Sequence, residues 1–423
     1  MTPLSMFVHR FTVDDREYLY NSLSMEIYDS PESLPAPDLE TEMLEALRGR
    51  AAEDKGIVMG TLFLTTRCPR QCGYCFLEGV GQGDMTGGEI DRALGLMRDG
   101  PGDILLYGGE PLLRPDLVAY TAERIRETRG DVNLILITGG IPVDRSLAEL
   151  LSSLDTFVIV SMDGSPRENN LCRPLKDPGD SFAQAERAFN VFREAGCRVG
   201  ISVTLSRLNI TEARRNFIWL MDRFQPDDMG LNPWLHPLEK GNENPHQIRP
   251  EEAILAVTSC MEEALSRGMY VEQLARRTRP FVNRSPRLKD CASSGGRLVV
   301  MPGGIAGTCD CMTCRGHHGV SLNDRAGIEE LMRGFRTLAP VFFPLCLSCP
   351  ALTICGGGCR YDAFSHSGDL RGRWPDRCRF ERQFLNWMLS RTVREGRESL
   401  IPRGGFSRNA MPMPVGTMLG ESK

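Results

Sequence analysis

Three cysteines with the spacing C-x3-C-x2-C stand near the start of the chain: Cys68, Cys72 and Cys75. They follow an apolar, β-branched run over residues 57–66, which predicts a buried strand. Three thiolates this close together can hold three corners of a cubane iron–sulfur cluster, which leaves the fourth iron without a protein ligand. An iron with an open position can chelate a small molecule and pass it an electron. The spacing therefore predicts redox catalysis and not only electron storage.

A structural zinc site is the alternative for these cysteines. Zinc sites of that kind have four closed ligands, commonly two C-x2-C pairs. Only one such pair occurs here, and neither a histidine nor a fourth cysteine follows closely. The ligand count therefore favours an iron–sulfur cluster.

The overall composition is that of a soluble globular protein. The 423 residues suffice for about two to three domains, and 41% are hydrophobic and 25% charged. The net charge of −5 gives no basic field for nucleic acid or an anionic membrane. The apolar runs are too short to span a bilayer, and the first ten residues lack the pattern of a signal peptide. We therefore expect a cytoplasmic protein with no nucleic-acid or membrane partner.

The chain has 15 cysteines, which in a reducing compartment predict metal ligands and not disulfides. Three lie at 68–75 and nine between 291 and 378. Cys172, Cys197 and Cys260 stand alone and are interpreted as small buried apolar side chains. Cys172 is also a candidate hydrogen donor, because it follows the fourth predicted strand of the central sheet.

Strands and helices alternate from residue 57 onward. Six β-then-α units predict a parallel sheet with right-handed crossovers, and the count favours an α/β fold with a partial (β/α)6 TIM barrel. Sites in such sheets form where strands end and loops begin, which is where the loop 68–75 lies. The predicted strands are 57–66, 103–107, 133–138, 156–162, 198–205 and 228–232, and the predicted helices are 86–98, 115–128, 144–152, 181–195, 211–224 and 250–267.

The rest of the chain divides around this barrel. Residues 1–55 predict a small unit with strands at 11–13 and 18–20 and a helix over 39–50. The barrel is predicted over 56–250 and a helical bridge over 251–290. Residues 291–390 are dense in glycine and cysteine, without long helical periodicity before Phe380, and a small domain of this kind needs metal to hold it together. Residues 391–423 are predicted to be a flexible tail.

The C-x3-C-x2-C spacing, with the aromatic Tyr74 just before the third cysteine, resembles the cluster motif of the radical SAM superfamily. The resemblance implies that Cys68, Cys72 and Cys75 hold a [4Fe–4S] cluster that binds S-adenosyl-L-methionine (SAM), with Tyr74 in the cofactor site. It also implies the chemistry: reductive cleavage of SAM gives a 5′-deoxyadenosyl radical, which abstracts a hydrogen from the substrate.

The second predicted strand ends in Gly108-Gly109-Glu110-Pro111. Two glycines let a backbone approach a ligand closely. The resemblance implies that Gly108, Gly109 and Glu110 hold the amino group of SAM, with Pro111 closing the motif. The alternative is a plain strand-to-helix turn, and the position of the motif at the end of the second strand favours the SAM site.

The fourth predicted strand ends in polar residues, Ser161 and Asp163. The resemblance favours Ser161 as a contact to the ribose or carboxylate of SAM and places Asp163 near the substrate. Both could instead cap a turn, which is a common use of serine and aspartate. Arg173 is the first well-placed cation after that strand, and we predict that it pairs with the SAM carboxylate.

Seven later cysteines and Gly304 have the spacing of the SPASM domain, which the chain resembles from residue 291. The resemblance implies two auxiliary [4Fe–4S] clusters, for a total of three in the chain, and zinc is the alternative. The outer cluster would have four ligands and the inner cluster three, so either one inner iron is open or Cys311 or Cys314 completes the set. An open iron could bind a substrate thiolate, whereas a closed cluster could only pass electrons. The implied ligands are Cys346, Cys349, Cys355 and Cys378 for the outer cluster and Cys291, Cys309 and Cys359 for the inner one.

Radical SAM enzymes with this domain mostly modify peptides or proteins. The resemblance therefore implies a maturase of a ribosomally made peptide, forming a thioether, a carbon–carbon link or an epimerised centre, with a flavodoxin- or ferredoxin-type electron donor. An exposed strand in residues 1–55 could bind a leader peptide by β-strand addition. One alternative is an anaerobic sulfatase-maturing enzyme that makes formylglycine. The alternative from another class is a non-catalytic iron–sulfur electron carrier.

Overall fold

Nine strands of the described residues form one sheet at the centre of the protein. The computed structural model describes residues 4–98, 100, 102–141, 143–236, 246–269 and 271–402. The strands are β1 (Val8–Val13), β2 (Arg16–Asn21), β3 (Glu26–Tyr28), β4 (Met59–Thr65), β5 (Asp103–Gly108), β6 (Asn133–Thr138), β7 (Thr156–Ser161), β8 (Arg198–Leu205), β9 (Met229–Pro233), β10 (Arg297–Met301), β11 (Ile305–Gly307) and β12 (Val320–Ser321).

Helices follow the central strands in the order that the sequence predicts. β4 to β9 are parallel neighbours in chain order, so the predicted partial barrel of six β-then-α units is confirmed. The helices are α1 (Pro37–Ala52), α2 (Gly87–Leu96), α3 (Pro115–Thr128), α4 (Arg145–Ser153), α5 (Pro166–Cys172), α6 (Ser181–Glu194), α7 (Ala213–Phe224), α8 (Pro250–Arg267), α9 (Glu272–Val282), α10 (Asp310–Cys314), α11 (Arg325–Arg336), α12 (Pro344–Leu347), α13 (Leu352–Cys355), α14 (Arg360–Ser367) and α15 (Pro375–Glu395).

The strand sequences explain why the sheet is covered on both faces. Neighbouring residues of a strand point to opposite faces, and those of β6 belong to different apolar clusters. Leu134 and Leu136 pack in the large cluster with the helices, whereas Ile135 packs with Phe157 and Ile159 of β7 on the other face. Near-continuous apolar runs of this kind are typical of parallel strands that are buried on both sides.

The cysteine-rich part of the chain begins as an extension of this sheet. β10 lies parallel beside β4, with Val299 opposite Thr61, and β11 and β12 continue the sheet in antiparallel orientation. The sequence predicts no long helix between residue 291 and Phe380, and this is wrong, because α11 has 12 residues. Its buried residues Ile328, Met332 and Phe335 recur at helical spacing, and Ile328 and Met332 pack in the large apolar cluster, so the sequence did carry the signal of a helix here.

The N-terminal unit forms the predicted small antiparallel sheet and helix. This unit packs against the C-terminal part of the chain. The Thr353 hydroxyl donates a 2.6 Å hydrogen bond to the carbonyl of Ser22, and Arg394 pairs with Asp14 at 2.7 Å. An apolar cluster fills the contact between them, and its buried members are Phe7, Leu23, Leu47, Ala51, Leu288, Ala339, Val341 and Leu352.

The predicted flexible tail begins later than residue 391. Helix α15 continues to Glu395, and a 3-10 turn over Arg397–Leu400 buries Leu400 completely. The early boundary is wrong because an apolar side chain in this segment completes the core. The remainder of the predicted tail, residues 403–423, lies outside the described residues. Every helix in the described part of the chain is too short or too polar to span a bilayer.

Candidate active site

The loop 68–75 leaves the C-terminal end of β4 and carries three half-buried thiols. Its backbone is fixed by the segment after α5, because Gln71 N–H donates to the Pro174 carbonyl at 2.8 Å and Lys176 N–H donates to the Pro69 carbonyl at 2.9 Å. Within the loop, Arg70 N–H lies 3.5 Å from the Cys68 sulfur. The loop is thus held in place by neighbouring backbone.

Burial controls the protonation of these thiols. It raises the pKa of Cys68 and Cys75, and it raises the pKa of Cys72 to about 11. The free thiols are therefore protonated at neutral pH, and a bound metal must displace the protons to gain thiolate ligands. The donor set is three sulfurs of one loop, which fits three corners of a cubane cluster.

The Gly108-Gly109-Glu110 segment packs directly on the start of this loop. Gly108 has a φ of +139°, and a side chain on either glycine would overlap the backbone carbonyls of Thr65 or Arg67. Gly109 N–H donates to Thr65 at 2.8 Å and Glu110 N–H donates to Arg67 at 2.9 Å. The two glycines are therefore required for the close approach of β5 to the end of β4.

Glu110 is fully buried beneath the loop. Its carboxylate accepts hydrogen bonds from Leu112 N–H at 3.1 Å, the Thr138 hydroxyl at 2.6 Å and Gly139 N–H at 2.8 Å. The Arg70 guanidinium lies 3.6 Å away. Burial raises the pKa of Glu110, and these donors and the cation oppose that shift. Glu110 thus connects β5, β6 and the cysteine loop, and its contact with the amino group of SAM stays a prediction. Pro111, also buried, begins the 3-10 turn that follows.

Tyr74, Asp163 and Arg173 form one buried group next to the loop. The Tyr74 hydroxyl donates to Asp163, and Arg173 donates to the other Asp163 oxygen at 3.0 Å. The Arg173 guanidinium lies over the Tyr74 ring at 5.5 Å. Burial acts to lower the pKa of Arg173, but the Asp163 carboxylate raises it well above its ordinary value.

Sequence reasoning does not anticipate this pairing. It assigns Arg173 to the SAM carboxylate and Asp163 to the neighbourhood of the substrate, whereas in the structure the two side chains bind each other. Ser161 lies half-buried at the end of β7, opposite Ser202 of β8. The predicted contacts of Ser161, Asp163 and Arg173 with SAM stay predictions.

The outer group of C-terminal cysteines surrounds one cavity. Cys346 and Cys349 lie on one turn, in which Cys349 N–H donates to the Cys346 carbonyl at 3.0 Å. Gly357 N–H donates to the Cys355 sulfur at 3.2 Å. The cavity is lined by the four predicted outer ligands Cys346, Cys349, Cys355 and Cys378, by Cys359, which the resemblance assigns to the inner cluster, and by the basic side chains Arg360, Arg373, Arg377 and Arg382.

The inner group lies closer to the barrel. Cys309, Cys311 and Cys359 pack against the same small apolar cluster, and Cys291 lies beside Cys309. Arg297 joins this group to the barrel, because its guanidinium donates to the Thr61 hydroxyl of β4 at 2.8 Å and pairs with Asp310 at 2.7 Å. This arginine therefore fixes the turn that carries two of the cysteines.

The family model of the radical SAM superfamily matches residues 62–215 of the chain. This range includes the cysteine loop, the Gly-Gly-Glu segment and the Tyr74–Asp163–Arg173 group. The chain carries a radical SAM domain.

Curated relatives share only part of this chain. GTP 3′,8-cyclase of Paenarthrobacter nicotinovorans is 34% identical over 127 residues, which are 28% of this chain and 34% of that protein. Pre-heme d1 synthase of Dinoroseobacter shibae is 28% identical over 219 residues, which are 49% of this chain and 52% of that protein. The chain thus spans about half or less of the length of these relatives.

Solved structures share the fold over a longer range. Native anSMEcpe with bound AdoMet and the Cp18Cys peptide has a TM-score of 0.68 at 20% identity, covering 81% of this chain and 99% of that chain. Streptococcus suis SuiB bound to S-adenosylmethionine has a TM-score of 0.58 at 14% identity, covering 89% of this chain and 99% of that chain. At these identities the likeness shows a common fold.

The structure also brings to this site two residues that the sequence does not single out. Trp234 and His236 follow β9, and the Trp234 ring lies 5.7 Å from Tyr74 and 4.6 Å from His236. His236 hydrogen-bonds the buried carboxylate of Asp362, three residues after Cys359. The rings of Tyr74, Trp234 and His236 thus form a continuous row between the cysteine loop and the inner cysteine group. The strand-end rule could have identified it, because both residues stand just beyond the end of β9.

Proposed function

We propose that the protein is a radical SAM enzyme that modifies a peptide or protein, with one SAM-binding and two auxiliary [4Fe–4S] clusters. The observation that carries the proposal is the meeting of the two cysteine-rich regions. The Cys314 thiol lies 3.6 Å from the carbonyl of Phe76, which directly follows the cysteine loop. A substrate radical formed at this loop would arise next to α10, the short helix that carries Cys311 as well as Cys314.

The three thiols of the loop are proposed to hold the cluster that binds SAM, and the bound cluster and SAM supply a 5′-deoxyadenosyl radical for hydrogen abstraction. The chain's own contribution is orientation and exclusion of water. The Asp163–Arg173 pair fixes the Tyr74 ring beside the thiols. The Gly-Gly-Glu segment packs against the start of the cysteine loop. Gly108, Gly109, Glu110, Pro111 and Ser161 are proposed to line the SAM pocket.

The proposed substrate is a ribosomally made peptide, changed by a thioether, a carbon–carbon link or epimerisation. Support comes from the fold of SuiB, which has been solved with the precursor peptide SuiA and has a TM-score of 0.56 to this chain. The outer edge of β1 pairs with no strand in the described part of the chain, and we propose that a leader peptide binds there as an added strand.

Two further functions compete with this one. An anaerobic sulfatase-maturing activity that forms formylglycine is favoured by the higher TM-score of anSMEcpe, whose structure holds a peptide. A non-catalytic electron carrier is the other, and it gives no reason for a Gly-Gly-Glu segment built against the cysteine loop.

The remaining proposed properties concern partners and location. Basic side chains surround the outer cysteine cavity, and this face would suit an acidic flavodoxin- or ferredoxin-type electron donor. We propose a cytoplasmic location, since the thiols must stay reduced to bind iron.

The test compares 5′-deoxyadenosine formation by two anaerobically reconstituted proteins, with SAM and a strong reductant. One is the wild type, and the other is the Cys68→Ala/Cys72→Ala/Cys75→Ala variant, called the triple variant. Nucleoside from the wild type alone supports the proposal, and its rate can then rank peptides and sulfatases as substrates. If a wild-type protein with intact clusters forms no nucleoside, the catalytic proposal is refuted and the non-catalytic electron carrier remains.

A further inference from the structure

We infer that Cys311 is the fourth ligand of the inner cluster, together with Cys291, Cys309 and Cys359, so that every iron of that cluster is bound by the chain. The inference rests on the proposed function, because it assumes that the inner cysteines hold a [4Fe–4S] cluster. It decides between an open and a closed cluster, and this determines whether the inner cluster can bind substrate.

Proximity singles out Cys311. Cys309 and Cys311 stand at the start of α10, and both pack with Cys359 against one small apolar cluster. Burial raises the pKa of Cys291 and Cys359, and the neighbouring Cys309 adds to both shifts, so these thiols also lie close together. All four are half-buried side chains, so each sulfur is screened from solvent without being sealed into the apolar core. Four convergent cysteines are the usual ligand set of a [4Fe–4S] cluster.

Cys314 has different surroundings. Its sulfur contacts the carbonyls of Phe76 at 3.6 Å and Cys311 at 3.3 Å. It packs in the apolar cluster that contains Cys75 and Val299, whereas Cys309, Cys311 and Cys359 pack in another. Cys314 therefore belongs to the contact between the cysteine loop and the C-terminal part of the chain, and not to the inner ligand set.

The backbone that carries Cys309 and Cys311 is held from both sides. Asp310, which lies between them, is paired with Arg297, and Arg297 is itself bound to Thr61 of β4. Gly307 packs so closely on Thr313 that any larger residue there would overlap it. The turn is thus pre-organised before a metal binds. The half-buried Arg297 also supplies positive charge beside the thiolates of Cys291 and Cys309.

His236 is the competing ligand. One ligand atom each from His236, Cys359 and Asp362 lie within 4.8 Å of one another, an arrangement that could hold a single metal ion. However, the Nδ1 of His236 is hydrogen-bonded to Asp362, which also pairs with Arg377 at 3.4 Å. This pairing favours a positioning role for His236 beside Cys359, and thiolate is the ordinary ligand of a cubane cluster.

A fully ligated inner cluster limits how the enzyme can bind its substrate. No iron of that cluster would be free to bind a substrate cysteine, so a mechanism in which the inner cluster holds the substrate thiolate is ruled out. The inner cluster would then only exchange electrons, and one of its ligands, Cys359, also lines the outer cysteine cavity.

The test uses the triple variant as the parent, because it keeps only the auxiliary ligands and its readout does not depend on SAM cleavage. Cys311→Ala, Cys314→Ala and His236→Gln are each added to it, and each protein is reconstituted anaerobically with iron and sulfide. Iron content is measured, and the electron paramagnetic resonance spectrum is recorded after mild oxidation, with and without cyanide as a probe of an open iron. Urea unfolding and a Cys311→Ser version identify any variant that fails to fold.

The parent is expected to hold about eight irons and to show no three-iron signal, since two [4Fe–4S] clusters would be fully ligated. Cys311→Ala is expected to lose about one iron per chain on oxidation, to give a three-iron signal and to respond to cyanide. Cys314→Ala and His236→Gln are expected to match the parent. A three-iron signal from the parent, from Cys314→Ala or from His236→Gln would overturn the inference, and so would a Cys311→Ala protein that matches the parent.

These outcomes separate the inference from the proposed function. A parent that binds no iron would refute both the inference and the auxiliary clusters of the proposal. A parent with its full iron content and the expected Cys311→Ala signal, alongside a wild type that does not cleave SAM, would refute only the catalytic proposal.

Discussion

The hydroxyl of Tyr74 donates a hydrogen bond to the buried carboxylate of Asp163. This bond joins the residue before the last loop cysteine to a residue just beyond the end of β7. Arg173 and the backbone N–H of Thr204 bind the other oxygen of the same carboxylate, at 3.0 and 2.8 Å. The cysteine loop is therefore positioned by a charge pair that lies outside it.

Tyr74→Phe should lower the free energy of unfolding of the metal-free protein by about 1–3 kcal/mol, because a buried charged acceptor loses one donor. Tyr120→Phe is the matched control, since its hydroxyl donates a 2.8 Å bond to Asp91 at the surface, where loss of the bond should cost less than about 0.5 kcal/mol. Urea unfolding measures both. Equal effects of the two substitutions would show that the Tyr74–Asp163 bond does not hold the loop.

Gly108→Ala should prevent the normal approach of β5 to β4. The residue has a φ of +139°, and the new methyl group would overlap the Thr65 carbonyl. We expect a loss of at least about 2 kcal/mol of folding free energy and weak incorporation of iron into the loop. Gly95→Ala, in α2 with open space around it, should instead stabilise the protein by about 0.5–1 kcal/mol. Normal stability and iron content in Gly108→Ala would contradict the packing argument.

The stability of the metal-free protein should fall in alkaline solution, and Cys260 should contribute to the fall. Burial raises the pKa of this thiol from 9.0 to about 12. The folded state therefore holds the proton more tightly than the unfolded state, so the contribution is complete below pH 9 and is lost as the pH rises toward 12.

Urea unfolding at pH 8 and pH 10, with a reductant present, measures this effect. Cys260→Ala should lose less stability between the two pH values than the wild type does, although it is less stable at pH 8 because of the cavity. An equal or larger loss in Cys260→Ala would show that this thiol does not contribute.

Thr353→Val should loosen the N-terminal unit. It removes the buried hydrogen bond to the Ser22 carbonyl and leaves that acceptor unpaired, at a cost of about 1–3 kcal/mol. Hydrogen exchange in β2 should become faster while the barrel strand β6 stays protected. Thr121→Val is the control, because its hydroxyl bonds the Leu117 carbonyl within its own helix. Unchanged exchange in β2 would show that the Thr353 hydroxyl does not hold the unit in place.

The strands and helices of the barrel can be predicted from the sequence because each is encoded by a pattern of neighbouring residues. Buried parallel strands such as β6 are short continuous apolar runs, and Thr86 forms the predicted capping box at the start of α2. The cysteine spacing of the loop 68–75 is equally local, whereas the division of the C-terminal cysteines into two groups follows from the resemblance to the SPASM domain and stays a prediction.

The pairings within the site depend on distant contacts and escape such patterns. The sequence offers Arg173 as a well-placed cation, but only the folded chain shows that its guanidinium is paired with the Asp163 carboxylate. The docking of Ser22 on Thr353 joins residues that lie 331 positions apart, so no window of sequence could reveal it. The same holds for Trp234 and His236, whose partners lie in other parts of the chain.

The hydrogen-bonded pairing of β4 with β10 joins the barrel and the C-terminal part of the chain in one continuous sheet. One edge of the strand that leads into the cysteine loop is completed by a strand from the C-terminal part. A fragment that stops at residue 290 would expose that edge of β4, and bare strand edges recruit other chains. Exchanging C-terminal parts between related enzymes at residue 290 would pair β4 of one enzyme with β10 of the other, so the exchange should succeed only where the two strands keep the register seen here.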